Sequence, residues 1–370
     1  MRHLFSGLLS WSPRWLLGVA ICTAPAALRA EPHFAVQQGL KCSACHVNPT
    51  GGGMRNVFGT TWARTVLPAA PIDLGDLEPW TGELTSRVRV GANLRADATY
   101  TDIPDTEEQS EFDLDELRLY LDLALIPERL SLYVDQRIAP GGSSNLEAYA
   151  LLWFDERRWY LKAGQLYLPF GLRLEDDGAY IREVTGINFA TPDKGIEAGF
   201  ESSHWSAQIA VTNGTASGPE QDQGKQSSLR VAHVRAAWRL GASFNFNDAG
   251  ADDRRMQGLF AGVRTGPVAW LGEADYIIDD GFADGRRRQW AGLLEADWTV
   301  RPGHNLKLVA EYFDPDDDLD EDEQNRYSLV WEWTPVQYLQ LRLGSRLYDG
   351  IPQSDLQNRE VYFAQLHGFF

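Results

Sequence analysis

The residues best equipped for chemistry are Cys42, Cys45 and His46, in the run Cys42-Ser-Ala-Cys45-His46. Two thiols spaced by two residues and followed at once by an imidazole form the attachment pattern of c-type haem. The thiols add to the haem vinyl groups and the histidine becomes an axial iron ligand. Zinc is the alternative for such a cluster, but it needs a fourth ligand and gives no reason for the histidine to abut the second cysteine. The spacing therefore predicts one covalently bound haem c, with Cys42 and Cys45 as thioether anchors and His46 as proximal ligand. The sixth iron position is open between two residues. Met54 follows the glycine run Gly51 to Gly53, which lets the backbone fold back over a ring. His33 is the other candidate. Methionine would raise the reduction potential relative to a second histidine.

The elements around this motif indicate where it works. Arg2, His3 and Arg14, the apolar stretch from Trp15 to Ala27 and the small residues up to Ala30 read as an export signal over residues 1–30. Its removal would take Cys22 and leave only the motif pair. Residues 31–80 are too few to bury a large core by themselves, so this haem segment is expected to dock in or at whatever follows it. No run of about 18 apolar residues is present. An exported chain that spans a membrane without helices must close its backbone hydrogen bonds in a barrel.

Residues 81–370 carry that pattern. Leu117, Leu119, Leu121, Leu123 and Leu125 alternate with Glu116, Arg118, Tyr120 and Asp122. The same period of two recurs in Val88 to Ala98, Leu130 to Arg137, Leu306 to Glu311, Arg326 to Trp333 and Leu339 to Arg346, with one lipid face and one wet face. Short connections near Ile126 to Arg129, Asp155 to Arg158, Ser202 to His204, Arg239-Leu240, Thr265 to Pro267, Arg301 to Asn305 and Thr334 to Gln337 alternate with longer ones, among them Asp279 to Arg287. The expectation is an all-β, outer-membrane antiparallel β-barrel of about 16 strands, with both termini in the periplasm of a Gram-negative cell. Trp153, Trp159, Tyr160, Trp205, Trp238, Trp331, Trp333 and Tyr338 are expected in aromatic girdles at the lipid interfaces, and the chain closes on an aromatic residue, Phe370.

The net charge of −18 and pI near 4.8 exclude a nucleic-acid partner, whose phosphates would be repelled. Acidic residues gather in Asp102 to Glu116 and Asp314 to Glu323. These suit a solvated face that binds divalent ions among outer-membrane lipids, or a funnel that collects ferrous iron.

Two resemblances follow from these residues. Lys162 to Gln165 with Leu168-Pro169-Phe170-Gly171 resembles the segment of phosphate-selective-type porins that leads into an infolded loop, over roughly residues 113–200, although lysines are scarce here. The whole chain resembles the fused monohaem cytochrome-porin family of outer-membrane iron oxidases: an export signal, one Cys-x-x-Cys-His with Phe34 upstream and Pro49 downstream, then a barrel. The resemblance implies passage of single electrons from extracellular Fe(II) through the haem to a periplasmic carrier such as a soluble cytochrome. That is an iron(II):cytochrome oxidoreductase working by outer-sphere transfer, with no acid-base residues. The alternative is a passive solute or anion porin with the haem segment as plug or redox sensor. Arg87, Arg89, Arg95, Arg118, Arg137, Arg342 and Arg346 would then line an anion track balanced by Glu116, Asp122, Asp135 and Glu311.

Overall fold

The computed structural model describes residues 32–370 except 74, 76–79, 217, 221–222 and 249–251, so the expected export signal and Cys22 lie outside the described residues. A short strand β1 (Glu83–Thr85) leads into β2 (Val88–Asp102), β3 (Gln109–Ile126), β4 (Leu130–Ala139), β5 (Ser144–Phe154) and β6 (Trp159–Leu166). After a long connection come β7 (Asp193–Glu201), β8 (Trp205–Thr212), β9 (Gln226–Val234), β10 (Trp238–Asn247), β11 (Arg254–Thr265) and β12 (Val268–Phe282). The sheet ends with β13 (Gly285–Arg301), β14 (His304–Asp314), β15 (Gln324–Val336), β16 (Leu339–Asp349) and β17 (Glu360–Phe369).

Each strand from β2 to β16 pairs antiparallel with the next, and β17 returns to β2 in a register running from Glu360 opposite Asp102 to Phe369 opposite Asn93. The result is a closed barrel of 16 strands, with β1 as an appendage on β2. Closure leaves no edge with unpaired backbone groups, which is the condition for spanning lipid with strands. The pleat sends Leu119, Ile209, Leu259, Leu294 and Leu308 outward, where all are exposed, while Arg118, Tyr133, Asp135, Glu311 and Arg326 are buried on the inner face. Among the described residues, no helix is long and apolar enough to cross a membrane. Phe370 and the start of β2 meet at the end of the barrel that carries the short turns, where the Phe370 N–H donates to the Ala92 carbonyl (3.2 Å).

Three expectations about local detail are corrected. Arg239 and Leu240 lie within β10, and the turn is Arg235 to Ala237, because Trp238 of β10 already pairs with Val263 of β11. The expected long link Asp279 to Arg287 is a tight hairpin at residues 283–284, since Asp279 to Phe282 continue the ladder with β13. Trp153 and Tyr160 are not interface aromatics: both are buried on the inner face with ring centroids 5.0 Å apart.

The lumen is filled from two directions. From the short-turn end comes the N-terminal segment, with α1 (Pro32–Gln38) and α2 (Val57–Thr65). From the wall comes the connection between β6 and β7, residues 167–192, which folds inward and carries the one-turn helix α3 (Tyr180–Glu183). Much of the inner face is therefore dry where a wet lumen was expected. Val36 of α1 packs with Leu172 and Ile181 of the infolded segment and with Phe260, Leu271 and Leu293 of the wall. Ion pairs fasten the same segment to the barrel: Arg95 to Glu175 (2.6 Å), and Arg346 (2.8 Å) and Arg326 (3.0 Å) to Asp176. The inner charges expected to line an anion track are in large part spent on such pairs, Arg118 with Asp135 (2.5 Å) and Arg342 with Glu332 (3.3 Å) among them.

Candidate functional site: the lumenal cavity beside His46

The motif folds as a compact turn. The N–H groups of Cys45 and His46 both donate to the Cys42 carbonyl (3.1 and 3.0 Å), and Cys42–Ala44 form a single 3-10 turn. His46 then pairs with Arg55 in an antiparallel bridge, and the Val47 N–H donates to the Met54 carbonyl (3.0 Å). The intervening tip carries Gly51, Gly52 and Gly53 at φ of 95, 77 and 61°. Only glycine holds three successive residues in that region at low cost, and a β-carbon on Gly52 or Gly53 would run into the Phe189 ring or the Tyr133 hydroxyl. Asn56 ties the turn to α2: its side chain accepts from the Gly59 N–H (2.9 Å) and donates to the Ala44 carbonyl (3.0 Å).

The turn is fixed to the wall by buried polar groups. Asn48 donates to both Glu147 oxygens (2.9 and 3.1 Å), and its own carbonyl accepts from Thr50 Oγ1 (2.9 Å) and Lys162 Nζ (3.1 Å). Lys162 in turn pairs with Glu197 at 3.0 Å. Asn48, Glu147, Lys162 and Glu197 are all fully buried. Around the rim, Arg239 donates to the Leu40 carbonyl (2.6 Å), Arg264 to that of Gln37 (2.8 Å), and the Ala69 N–H to that of Thr334 (2.8 Å).

His46 borders a cavity of about 90 Å3 between the N-terminal segment, the infolded segment and the inner faces of β2, β3 and β17. This is below the range of about 300–1,000 Å3 typical of pockets for small molecules and cofactors. Phe34, Trp62, Tyr120, Phe189 and Phe369 supply apolar wall, and Arg55, Arg95, Arg118 and Arg173 stand among the polar lining with Glu116, Glu175 and Asp177. Among the described residues, several buried donors of this lining have no acceptor: Trp62 Nε1, Arg95 Nε and Arg173 Nη1. Such donors suit a ligand that brings its own acceptor groups. An aromatic-walled space beside an imidazole, with donors to spare, has the chemistry that suits a haem, but its free volume is too small to seat one. Cys42 is half-buried and Cys45 buried, and both stand on the turn behind His46 without lining the cavity. Burial pushes the Cys45 thiol up to about 12, with Cys42 adding to the rise and Arg55 opposing it.

Neither Met54 nor His33 lines this cavity. Met54 is buried among Tyr120, Tyr133 and Tyr149, and its N–H donates to the Tyr133 hydroxyl (2.9 Å). His33 is buried elsewhere, with Nδ1 3.4 Å from Asp297 Oδ1. His33, Glu295 and Asp297 bring ligand-type atoms within 4.8 Å of one another. Lys307 Nζ sits 3.8 Å from Glu295, 3.8 Å from Asp297 and 3.7 Å from Glu332, so an ammonium already provides the counter-charge there. The histidine that does face the cavity from the barrel is His367 of β17, with ring nitrogens 2.5 Å from Asn93 Oδ1 and 3.1 Å from Gln340 Oε1. Sequence reasoning missed it, along with Trp62 and Arg173. The available signal for His367 was parity, since it shares a strand face with the buried Gln365 and Phe369. On the opposite side, the acidic stretch after β14 is partly matched by β13: Arg288 lies 3.4 Å from Asp318 and Arg287 3.9 Å from Asp316.

No family model and no curated protein matches the chain. Solved structures do. The outer-membrane protein OmpT of Vibrio cholerae aligns with a TM-score of 0.58 at 9% identity over 77% of this chain and 99% of its own. An anion-selective porin from Comamonas acidovorans aligns with a TM-score of 0.58 at 11% identity over 76% and 99%. The outer-membrane channel DcaP of Acinetobacter baumannii gives 0.55 at 12% over 76% and 97%. At such identities the similarity establishes the fold, a porin-type outer-membrane barrel.

Proposed function

We propose that this chain is an outer-membrane electron conduit, passing single electrons between an extracellular donor, Fe(II) by preference, and a periplasmic carrier through one covalent haem c inside the barrel. The observation that supports the reading is the placement of the motif: its turn is pinned to the inner wall of the barrel, and His46 borders both the lumenal cavity and two clefts that open among the short turns. A hydrocarbon core is about 30 Å thick, and tunnelling falls steeply with distance, so a redox centre within the wall shortens the gap that one outside would leave. Bound to the motif, haem would supply one-electron redox chemistry. Cys42 and Cys45 would tether it and His46 would ligate it, while Phe34, Trp62 and Phe369 keep water from the lumenal side of the histidine. Outer-sphere exchange asks for no proton donor or acceptor, and the acidic outer loops would concentrate a divalent metal before it reacts. In this reading both termini and the short turns face the periplasm.

The test is the purified protein from cells that mature c-type cytochromes. The expected result is a haem-stained band that survives denaturation, together with reduced c-type absorption bands on addition of ferrous iron. A colourless protein removes the haem, and a haem protein that no ferrous species reduces removes the iron reading.

A second reading, a solute porin closed by its own N-terminal plug, is favoured by the similarity to porins, one of them described as anion-selective. Uptake of small anions by liposomes carrying the intact protein, at a rate unchanged when Cys42 and Cys45 are replaced by serine, would favour it over the conduit.

A further inference from the structure

The lumenal cavity, too small to seat a haem, has room for a simple ion. A space of about 10–15 Å3 admits one water, so about 90 Å3 takes one compact ion with a few waters. The carboxylates of its lining are each engaged: Glu175 with Arg95 at 2.6 Å, Glu116 with Arg118 at 3.1 Å, and Asp177 as acceptor of the Phe189 N–H at 2.9 Å. Arg173 is the exception among the charges. It is only 8% exposed, and its Nη2 donates to neutral oxygens alone: the Leu168 carbonyl (2.8 Å), Thr50 Oγ1 (3.2 Å) and the Tyr167 carbonyl (3.4 Å). Among the described residues its Nη1 has no acceptor, and neither has Trp62 Nε1 or Arg95 Nε on the same lining. A buried guanidinium without a counter-ion is costly, and a buried N–H without an acceptor adds to that cost.

We propose that this cavity binds one monovalent inorganic anion of chloride size, gripped by Arg173, Trp62 and Arg95. One uncompensated cation calls for one negative charge. A dianion such as sulfate would meet added repulsion from Glu116, Glu175 and Asp177 on the same lining. A spherical ion accepts from donors on several sides without fixed angles, as three donors from three elements require. Arg173 belongs to the infolded segment, Trp62 to α2 and Arg95 to β2. The anion therefore works as a clamp that joins both lumen-filling bodies to the wall. The site is independent of the two functional readings above, and stands whether or not Cys42 and Cys45 carry haem.

The experiment uses full-length protein purified from outer membranes, as wild type, Arg173→Gln and Trp62→Phe, each checked for a folded barrel by heat-modifiable gel mobility. Sodium gluconate, whose anion is too large for the cavity, is exchanged for sodium chloride at constant ionic strength, and the urea midpoint of tryptophan fluorescence is followed. The wild-type midpoint should rise with chloride, as binding to the folded state alone requires, and should rise less with sulfate. Arg173→Gln should weaken the chloride dependence by at least about tenfold in concentration, the worth of a hydrogen bond to a charged group, and Trp62→Phe by about fivefold. Crystals grown with bromide in place of chloride should show an anomalous peak within hydrogen-bonding reach of Arg173 and Trp62. A wild-type midpoint indifferent to chloride, or equally responsive to sulfate, overturns the proposal, as does an Arg173→Gln variant that responds as wild type does. Should that variant fail to fold, a wild-type response in Trp62→Phe or a bromide crystal with only water in the cavity overturns it. No readout here involves haem, so a colourless protein defeats the conduit and leaves this test intact.

Discussion

Asn48 shows how much of the site depends on single residues outside the motif. One buried amide satisfies both oxygens of Glu147 and accepts from Lys162, so its truncation would leave a carboxylate and an ammonium short of partners in a water-poor interior. Asn48→Ala should cost about 3 kcal/mol, the range for buried hydrogen bonds to charged groups, read as a lower urea midpoint of intrinsic tryptophan fluorescence and as faster proteolysis of residues 39–60 in the folded barrel. Unchanged proteolysis would mean that the segment is held by its apolar contacts alone. At this scale the sequence is uneven in what it reveals. Cys42, Cys45 and His46 are legible because the attachment pattern they match is contained in five successive residues. Asn48, Arg173 and His367 are not, because their partners lie across the barrel, 99 residues away for Glu147 and 274 for the Asn93 that meets His367.

Among elements, the infolded segment decides whether the barrel is hollow. Ile181, fully buried against Leu172, Phe260 and Leu271, anchors it, and Ile181→Ala should cost roughly 2–5 kcal/mol as a core truncation, measured by the same urea midpoint. Glu175 and Asp176 hold it electrostatically. Burial alone would raise both carboxyls, but Arg95 for Glu175, and Arg346 with Arg326 for Asp176, hold them well below the usual carboxylate range. A carboxyl depressed in the folded state contributes fully above its unfolded value near 4 and loses that contribution as pH falls below it. Protection of residues 167–192 relative to the intrinsic exchange rate should therefore hold from neutral pH down to about 5 and fall toward pH 3 while the strands stay protected; equal protection at both ends would show that the apolar contacts suffice. The strands were legible because a period of two cannot hide over ten residues. The dry lumen was not. Met256, Phe260, Leu271 and Leu293 occupy inward positions that parity reserves for polar groups, and nothing local reveals that two other segments come to cover them.

For the whole molecule, the decisive contrast is between a pore and a sealed wall. The N-terminal segment reaches the short-turn end at Gln37 to Leu40 and again at Ala69, held there by Arg264, Arg239 and the Thr334 carbonyl, and meets the infolded segment through Val36, Leu172 and Ile181. Opening a path past it requires breaking buried ion pairs and wetting apolar surface together, so spontaneous opening should be rare on the timescale of ion flow. The intact protein in a planar bilayer should pass almost no current under moderate voltage. Deleting residues 32–80 should produce discrete conductance steps, limited by the constriction that the infolded segment leaves, and further loss of Ile181 should enlarge them. Large steps from the intact chain would place it among open porins and leave an electron-conducting role without its insulating wall. Silence that persists after the deletion would move the seal from the N-terminal segment to residues 167–192.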